Sequence, residues 1–177
     1  AERIDVGGVD AVVSIARGLM QEYGVKRPSA DSADPQEPPS VGLVGKLWDL
    51  SSAYRQLPRD PKQAHLSIIC VRNPSTGNPE YYEQLALPFG TTAAVYHFDL
   101  VARGILSVLT GLFGICAWHY FDDYTVLDRE DLASDTQPGV DAVLCLLGWE
   151  TKAQLPFSQV FEPLGVVVDL SLTRSGS

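Results

Sequence analysis

Two adjacent carboxylates, Asp122 and Asp123, lie between two stretches rich in β-forming residues, 112–118 and 125–127. This pattern predicts a β-hairpin whose tight turn is Asp-Asp. Neighbouring like charges disfavour each other's ionisation, and a divalent cation bound to both would relieve the repulsion. Water would relieve it as well, because acidic residues are common in solvent-facing turns. The pair by itself therefore leaves a metal site and a solvated turn as alternatives.

The elements that must position these carboxylates follow from hydrophobic periodicity and turn signals. The predicted order is helix 7–22, strand 41–50, hairpin 65–85, helix 95–112, the Asp-Asp hairpin, helix 140–147 and strand 164–170. Residues 26–40, rich in Pro, Ser and Asp, are predicted to form a loop or insertion, and residues 128–139 an acidic loop. On the polar side of the long helix we expect Asp99 and Arg103 to form an i,i+4 pair.

Without the hairpin 65–85, the predicted order from residue 42 onward is βαββαβ. This order is typical of an α+β fold, the split-βαβ (ferredoxin-like) antiparallel sheet with helices on one face. In such a sheet the first strand can neighbour the Asp-Asp hairpin, so that Asp49 would approach Asp122. Three carboxylates on adjacent strands could hold two Mg²⁺ or Mn²⁺ ions about 3.5–4 Å apart, an arrangement suited to in-line phosphoryl transfer.

Composition and charge limit the classes of function. The 177 residues, 45% of them apolar, are enough for one ordinary domain core. The net charge of −9 argues against a general nucleic-acid binder, yet residues 42–79 carry five basic and only two acidic residues. The isolated Cys70, Cys116 and Cys145 are expected to be free thiols in a reducing compartment. Neither a signal-peptide pattern nor a long uncharged apolar run is found, so an intracellular location is expected.

Five segments, in the order of the family, resemble the motifs of the reverse transcriptase palm of LTR and related retrotransposons. The motif A-like segment is Asp49-Leu50-Ser51-Ser52-Ala53-Tyr54-Arg55-Gln56-Leu57, and the motif B-like segment is Leu87-Pro88-Phe89-Gly90-Thr91-Thr92-Ala93-Ala94-Val95-Tyr96-His97-Phe98. The others are a motif C-like Tyr120-Phe121-Asp122-Asp123, a motif D-like Lys152 and a motif E-like Phe161-Glu162-Pro163-Leu164-Gly165-Val166-Val167-Val168. The hairpin 65–85 also falls where the family has a fingers-like hairpin insertion. The resemblance covers about residues 42–170 and implies a polymerase palm that performs template-directed DNA synthesis.

The resemblance implies a two-metal nucleotidyl transfer from a dNTP to a primer 3′-hydroxyl. Asp49, Asp122 and Asp123 would be the ligands of two Mg²⁺ (or Mn²⁺) ions, with the carbonyl of Leu50 as a further ligand. Lys152 would be the general acid that protonates the departing pyrophosphate.

The same resemblance implies contacts to the substrates. Tyr54 would lie under the sugar and exclude a 2′-hydroxyl, so that dNTPs are selected. Phe89 and Gly90 would border the incoming nucleotide and the templating base, and Phe121 would touch the primer end. A basic strip that would contact the nucleic-acid backbone is made of Arg55, Arg59, Lys62 and Arg72. The primer grip would be made of Leu164 and Gly165.

The resemblance also gives an expected domain organisation. Residues 1–41 would hold an N-terminal helix and a disordered Pro/Ser/Asp-rich stretch that makes only partial fingers. Residues 42–170 would form the palm with the hairpin 65–85, and residues 171–177 a tail without a thumb. Because the chain lacks an initiator Met, we expect a fragment of a gene or of a larger retroelement polyprotein. The expected partners are an RNA or DNA template-primer, dNTPs and other polyprotein domains, with no membrane.

Three other functions remain open from the sequence. The first is a catalytically inactive retroelement remnant that serves as a binding or structural module. The second is another palm-like nucleotidyl enzyme, such as a nucleotide cyclase, although the order of motifs A and B argues against it. The third is an RNA-recognition module on the same sheet, which would need exposed aromatic residues on its strands.

Overall fold

The computed structural model describes residues 7–23, 41–153 and 155–173, and these residues adopt an α+β fold. Its helices and strands are α1 Val9–Glu22, β1 Leu43–Asp49, β2 Ile68–Arg72, β3 Pro79–Glu83, α2 Thr92–Ser107, β4 Ala117–Tyr120, β5 Asp123–Arg129, α3 Ala133–Leu146, β6 Val160–Phe161 and β7 Val168–Asp169. A π-helical turn, Val108–Leu112, continues α2. The predicted insertion 26–40 lies outside the described residues.

The main sheet is antiparallel with the strand order β1-β5-β4, so β5 lies between the first strand and its own hairpin partner. In the register of this sheet, Asp49 of β1 is directly opposite Asp123 of β5, and Tyr120 of β4 is opposite Asp123 on the other side. The prediction that the first strand neighbours the Asp-Asp hairpin is therefore confirmed.

The two faces of this sheet are covered by different elements, because successive side chains of a strand point to opposite faces. On one face, Trp48 and Tyr124 pack with residues of α2 and α3, including Phe98 and Val140. On the other face, a smaller core unites α1 and the C-terminal residues with the sheet, through Val12, Leu43, Trp118, Leu127 and Leu170. Helices α2 and α3 thus share one core, as expected, while α1 lies on the opposite face.

The C-terminal hairpin of β6 and β7 is held against β1 by a glycine. Gly45 pairs with Ser158 through backbone hydrogen bonds of 2.8 and 3.0 Å. A Cβ atom built on Gly45 would lie 2.2 Å from the ring of Phe161. Only glycine lets the Phe161 ring approach β1 this closely.

Several predicted boundaries were wrong because tertiary contacts override local signals. The tight turn is Phe121-Asp122 rather than Asp122-Asp123, since Asp123 is already paired in β5. Helix α3 begins within the predicted acidic loop 128–139, because Ala133 is buried and Thr136 donates a hydrogen bond to the carboxylate of Asp128.

Two further expectations are corrected. Residues 164–170 do not form one strand, because Leu164 (φ 54°) and Gly165 (φ 74°) adopt left-handed backbone conformations that turn the chain between β6 and β7. Asp99 forms the predicted pair with Arg103 at 2.9 Å, but its side chain is buried rather than on a polar side of α2.

One described stretch, Thr92–Leu112, has the length and apolar composition that a membrane-crossing helix needs. In the structure it supplies Phe98, Ala102, Ile105 and Leu109 to the larger core. Because 33% of its most apolar window is buried, this packing accounts for only part of its apolar character.

Candidate active site

The three predicted carboxylates lie at one end of the main sheet. Asp49 and Asp123 are directly opposed across β1 and β5, and directly opposed residues present their side chains on the same face. Asp122 occupies the adjoining turn, and its carbonyl oxygen accepts a hydrogen bond of 3.2 Å from the backbone N–H of Leu50. The backbone of Leu50, a predicted metal ligand, therefore lies beside this turn.

Lys152 reaches the same place from a distant part of the chain. Its backbone N–H donates to the carbonyl of Asp49 at 2.9 Å, and its Nζ lies 2.5 Å from Asp49 Oδ2. The contact raises the pKa of Lys152, chiefly through the hydrogen bond to Asp49, so its ammonium is charged at neutral pH.

The segment that carries Lys152 is fixed by the side chain of Gln56. The Gln56 amide donates to the carbonyls of Ser51 at 2.6 Å and Glu150 at 2.9 Å, and it accepts from the Glu150 N–H at 2.8 Å. Gln56 was not among the predicted site residues, and its position two residues after Tyr54 in the motif A-like segment is the one sequence signal for it.

The electrostatics of this centre fit a bound cation. Burial raises the pKa of Asp123, and the charges of Asp122 and Asp49 raise it further, while Lys152 acts in the opposite direction. Asp49 Oδ1 is buried and receives no hydrogen bond from any described group. A buried carboxylate oxygen without a donor is costly, and a divalent cation with an oxygen-rich coordination shell would satisfy it.

Within the described ranges, no three His, Cys, Asp or Glu side chains are already gathered as a metal-holding group. Lys152 Nζ occupies one oxygen of Asp49 instead. A metal ion that used this oxygen would have to displace the ammonium, so Lys152 and a cation would compete for Asp49.

A cleft of about 750 Å³ opens beside this centre, and we call it the carboxylate cleft. Six of the residues singled out from the sequence line it: Leu50, Tyr54, Arg55, Phe89, Asp122 and Lys152. Residues of the β2–β3 hairpin and its flank, Ile69 and Glu83 among them, form the opposite wall. Asp122, Lys152 and the two aromatic residues predicted to contact a nucleotide thus share one cleft, while Asp49 and Asp123 are not part of its lining.

Helix α2 positions Tyr54, the first of the two aromatic residues of the cleft, and Tyr54 in turn contacts Phe89. The Tyr54 ring stacks on Phe98 with centroids 4.5 Å apart and an interplanar angle of 18°, and it meets Phe89 edge-on at 5.3 Å. Burial and the nearby charge of Asp122 raise the pKa of Tyr54, so its hydroxyl stays neutral. Phe89 is 84% exposed, so most of its ring is free to contact a ligand.

The backbone is strained next to the carboxylates. Phe121 has φ 53°, a left-handed conformation that is unfavourable for a bulky residue. Its ring packs edge-on against Tyr120 at 5.1 Å, and its carbonyl contacts Nδ1 of His119 at 3.2 Å. His119 is buried, and burial lowers its pKa.

The remaining predicted contacts are more dispersed. Gly90, with φ 93°, makes the turn before α2, and Leu164 and Gly165 lie in the turn of the C-terminal hairpin. Of the four basic residues, Arg55 lines the carboxylate cleft and Arg59 lines another groove. The other two are Lys62, exposed in the 3₁₀ helix Pro61–Leu66, and Arg72, whose Nε donates to Gly77 in the hairpin turn at 3.0 Å.

Comparison with known proteins did not identify this chain: no family model matches it, and no curated protein is significantly similar to it.

Proposed function

We propose that this protein is the palm of a retroelement reverse transcriptase and that its main sheet is the split-βαβ sheet of that fold. The observation that carries the proposal is the cross-strand pair of Asp49 and Asp123 with Asp122 in the adjoining turn. Three carboxylates at one sheet end, beside a cleft with aromatic walls, are the groups that a two-metal nucleotidyl transferase requires.

In this proposal Asp49, Asp122 and Asp123, with the Leu50 carbonyl, hold two Mg²⁺ or Mn²⁺ ions. When bound, the ions supply charge neutralisation for the phosphates and activation of the attacking hydroxyl. The primer 3′-hydroxyl would release its proton to solvent as its oxygen forms a bond to the α-phosphorus of the dNTP and the bond between that phosphorus and pyrophosphate breaks. Lys152 Nζ provides a proton for the leaving pyrophosphate, and its raised pKa supports a protonated resting state.

The aromatic residues of the cleft would select the substrate. Tyr54 is fixed between Phe98 and Phe89, so its ring cannot move away easily from a bulkier sugar. We propose that this fixed ring excludes a ribose 2′-hydroxyl, while Phe89 and Gly90 contact the nucleotide and its templating base. Phe121 would contact the primer end and Arg55 its phosphates.

The proposed partners are an RNA or DNA template-primer and dNTPs, with further domains of a retroelement polyprotein supplying fingers and thumb. In this organisation residues 42–170 are the palm and the β2–β3 hairpin is its fingers-like insertion. An intracellular location follows from these substrates, and the three free cysteines agree with a reducing compartment.

A non-catalytic module of the same ancestry is the second candidate. The observation that favours it is the contact of Lys152 Nζ with Asp49 Oδ2, which neutralises the carboxylate without a metal. In this case the chain would keep the fold and the cleft but would not extend a primer.

Primer extension on an RNA template with Mg²⁺ or Mn²⁺ distinguishes the two candidates. The comparison is wild type, Asp122→Asn and the control Asp135→Asn, which removes an exposed carboxylate from the first turn of α3. Nucleotidyl transfer predicts extension by wild type and Asp135→Asn, with a loss of at least about a hundredfold in Asp122→Asn. Extension that survives in Asp122→Asn contradicts the assignment. A wild-type chain that extends no primer even when retroelement fingers and thumb segments are supplied in trans supports the non-catalytic module.

A further inference from the structure

A second groove of about 430 Å³ lies between the 3₁₀ helix Pro61–Leu66, with its flanking residues, and α2. We call it the Arg59 groove. Its walls are largely aliphatic, with Leu57, Leu66, Leu100 and Val101 among them. Only Leu87 belongs to the linings of both this groove and the carboxylate cleft. The Arg59 groove is therefore a separate feature of the surface.

The groove contains a positive charge that has no partner among the described residues. Arg59 Nη1 is buried, and no described group accepts a hydrogen bond from it. The backbone N–H of Arg59 donates to Leu85 at 2.9 Å, which fixes the residue between the groove walls. Nη1 itself is closed to solvent, but Arg59 as a whole is only partly buried and lines the groove, so an anion in the groove would meet the rest of its side chain. An anionic partner would lower the cost of holding this partly buried charge.

The neighbouring carboxylate does not neutralise Arg59. Asp60 also lines the groove, but its Oδ1 accepts from the N–H of Lys62 at 3.0 Å and so caps the following 3₁₀ helix. Among the described residues Arg59 forms no ion pair. Within the part of the chain that the structure describes, the guanidinium therefore has no anionic partner.

We propose that the Arg59 groove binds a ligand with an apolar body and one carboxylate group, of the kind represented by a medium-chain fatty acid. The planar guanidinium suits a carboxylate, and the aliphatic walls would bury the chain. A monoanion fits better than a phosphate dianion, because Arg59 is the one Lys or Arg among the described lining residues and matches a single negative charge.

This inference does not depend on nucleotidyl transfer, because the groove and the carboxylates have different residues. The two sites are nevertheless in contact through the backbone, since Leu87 N–H donates to Leu57 carbonyl at 2.9 Å and Pro58 bridges to Ala86. A binding measurement on the whole chain tests the groove without any readout of polymerase activity.

Isothermal titration calorimetry with decanoate tests the proposal, with decanol and acetate as probes that each lack one feature. We expect one decanoate to bind per chain, decanol to bind at least about tenfold more weakly (about 1.4 kcal/mol), and acetate to give no measurable binding. Decanol binding as tightly as decanoate, or no decanoate binding, would overturn the proposal.

Variants assign the binding to this groove. Arg59→Met should reduce decanoate affinity to that of decanol, whereas Arg59→Lys should keep part of the preference for the acid. Leu100→Asp, at a position that is 70% exposed and so tolerant of change, should abolish decanoate binding by charge repulsion within the groove. The control Arg72→Met, in the β2–β3 hairpin, should bind like wild type. Unchanged binding in both Arg59→Met and Leu100→Asp would show that decanoate binds elsewhere.

Discussion

Lys152 Nζ lies 2.5 Å from Asp49 Oδ2, although 103 positions separate the two residues in the chain. The ammonium therefore neutralises the carboxylate at the centre of the proposed metal site. A lysine in this position has two consequences for the proposed function. Its ammonium can serve as the proton donor for the leaving pyrophosphate, and it competes with a cation for Asp49 Oδ2.

The competition predicts that Lys152→Met binds divalent ions more tightly than wild type does. Without the ammonium, both oxygens of Asp49 are open to Mg²⁺, so the metal affinity should rise severalfold. Calorimetric titration with Mg²⁺ measures this directly, with the exposed Lys62→Met as the matched control. An affinity that falls or stays constant in Lys152→Met would mean that the ammonium does not compete for Asp49.

The repulsion among the carboxylates predicts a stabilising substitution in metal-free buffer. The pKa of Asp123 is raised in the folded state, so the native protein holds this proton more tightly than the unfolded chain does. Stability should consequently fall as the pH rises from about 3.9 through the raised folded value. Asp123→Asn should remove this loss and raise the free energy of unfolding at neutral pH by on the order of 0.5 kcal/mol, the size of the interaction between two side chains opposed across neighbouring strands.

Urea denaturation in EDTA at a series of pH values checks this prediction. The free energy of unfolding of Asp123→Asn should exceed that of wild type at pH 7 and converge with it in acid. A variant less stable than wild type at neutral pH would contradict the repulsion.

The buried His119 predicts that stability changes with pH in the opposite direction, with a loss as the solution becomes more acidic. Burial lowers its pKa in the folded state, so the unfolded chain takes up the proton first. Stability should therefore be lost as the pH falls from about 6.5 through the lower folded value. The charged groups that act on this ring are Asp99, whose Oδ1 is buried without a hydrogen-bond partner among the described residues, and Arg103 of α2.

Substitution of His119 tests whether its imidazole causes this change of unfolding free energy with pH. His119→Gln keeps a polar side chain for the contact with Phe121 but cannot titrate, so its unfolding free energy should vary less than that of wild type below pH about 6.5. The exposed His65→Gln is the matched control and should keep the wild-type slope. A wild-type slope in His119→Gln would assign the dependence to another group.

Much of this arrangement was predictable from the sequence, because it depends on periodicity and order. Strand β1, the β2–β3 hairpin and α2 have clear patterns, and the βαββαβ order placed Asp49 beside the hairpin of Asp122 and Asp123. The exact turn was not predictable. The alternation of side chains does not reveal that Phe121 takes up a left-handed conformation, which moves Asp123 into the strand.

Contacts between distant segments account for the other differences. The position of Lys152 depends on the Gln56 amide, which joins two segments 94 residues apart, and no local signal encodes such a contact. The groove around Arg59 is formed by loops and 3₁₀ turns whose conformation depends on α2. Helix propensity alone would not start α3 at Ala133, because Pro138 lies inside the helix.

The close approach of Phe161 to Gly45 predicts a specific coupling between β1 and the C-terminal hairpin. Gly45→Ala should destabilise the protein by about 1–3 kcal/mol, because the added Cβ would overlap the Phe161 ring. When Phe161 has already been replaced in Phe161→Ala, Gly45→Ala should lower the free energy of unfolding by much less. A double-mutant cycle of unfolding free energies measures the difference, and additive costs would contradict the contact.

The most direct test of the central claim is Mn²⁺ binding measured by electron paramagnetic resonance, since the claim is that Asp49, Asp122 and Asp123 act as one cation site. The account predicts saturable binding to wild type and to Asp135→Asn. It also predicts a loss of at least about tenfold in affinity, about 1.4 kcal/mol, for Asp49→Asn and for Asp123→Asn. Mn²⁺ binding to Asp49→Asn as tight as to wild type would contradict it.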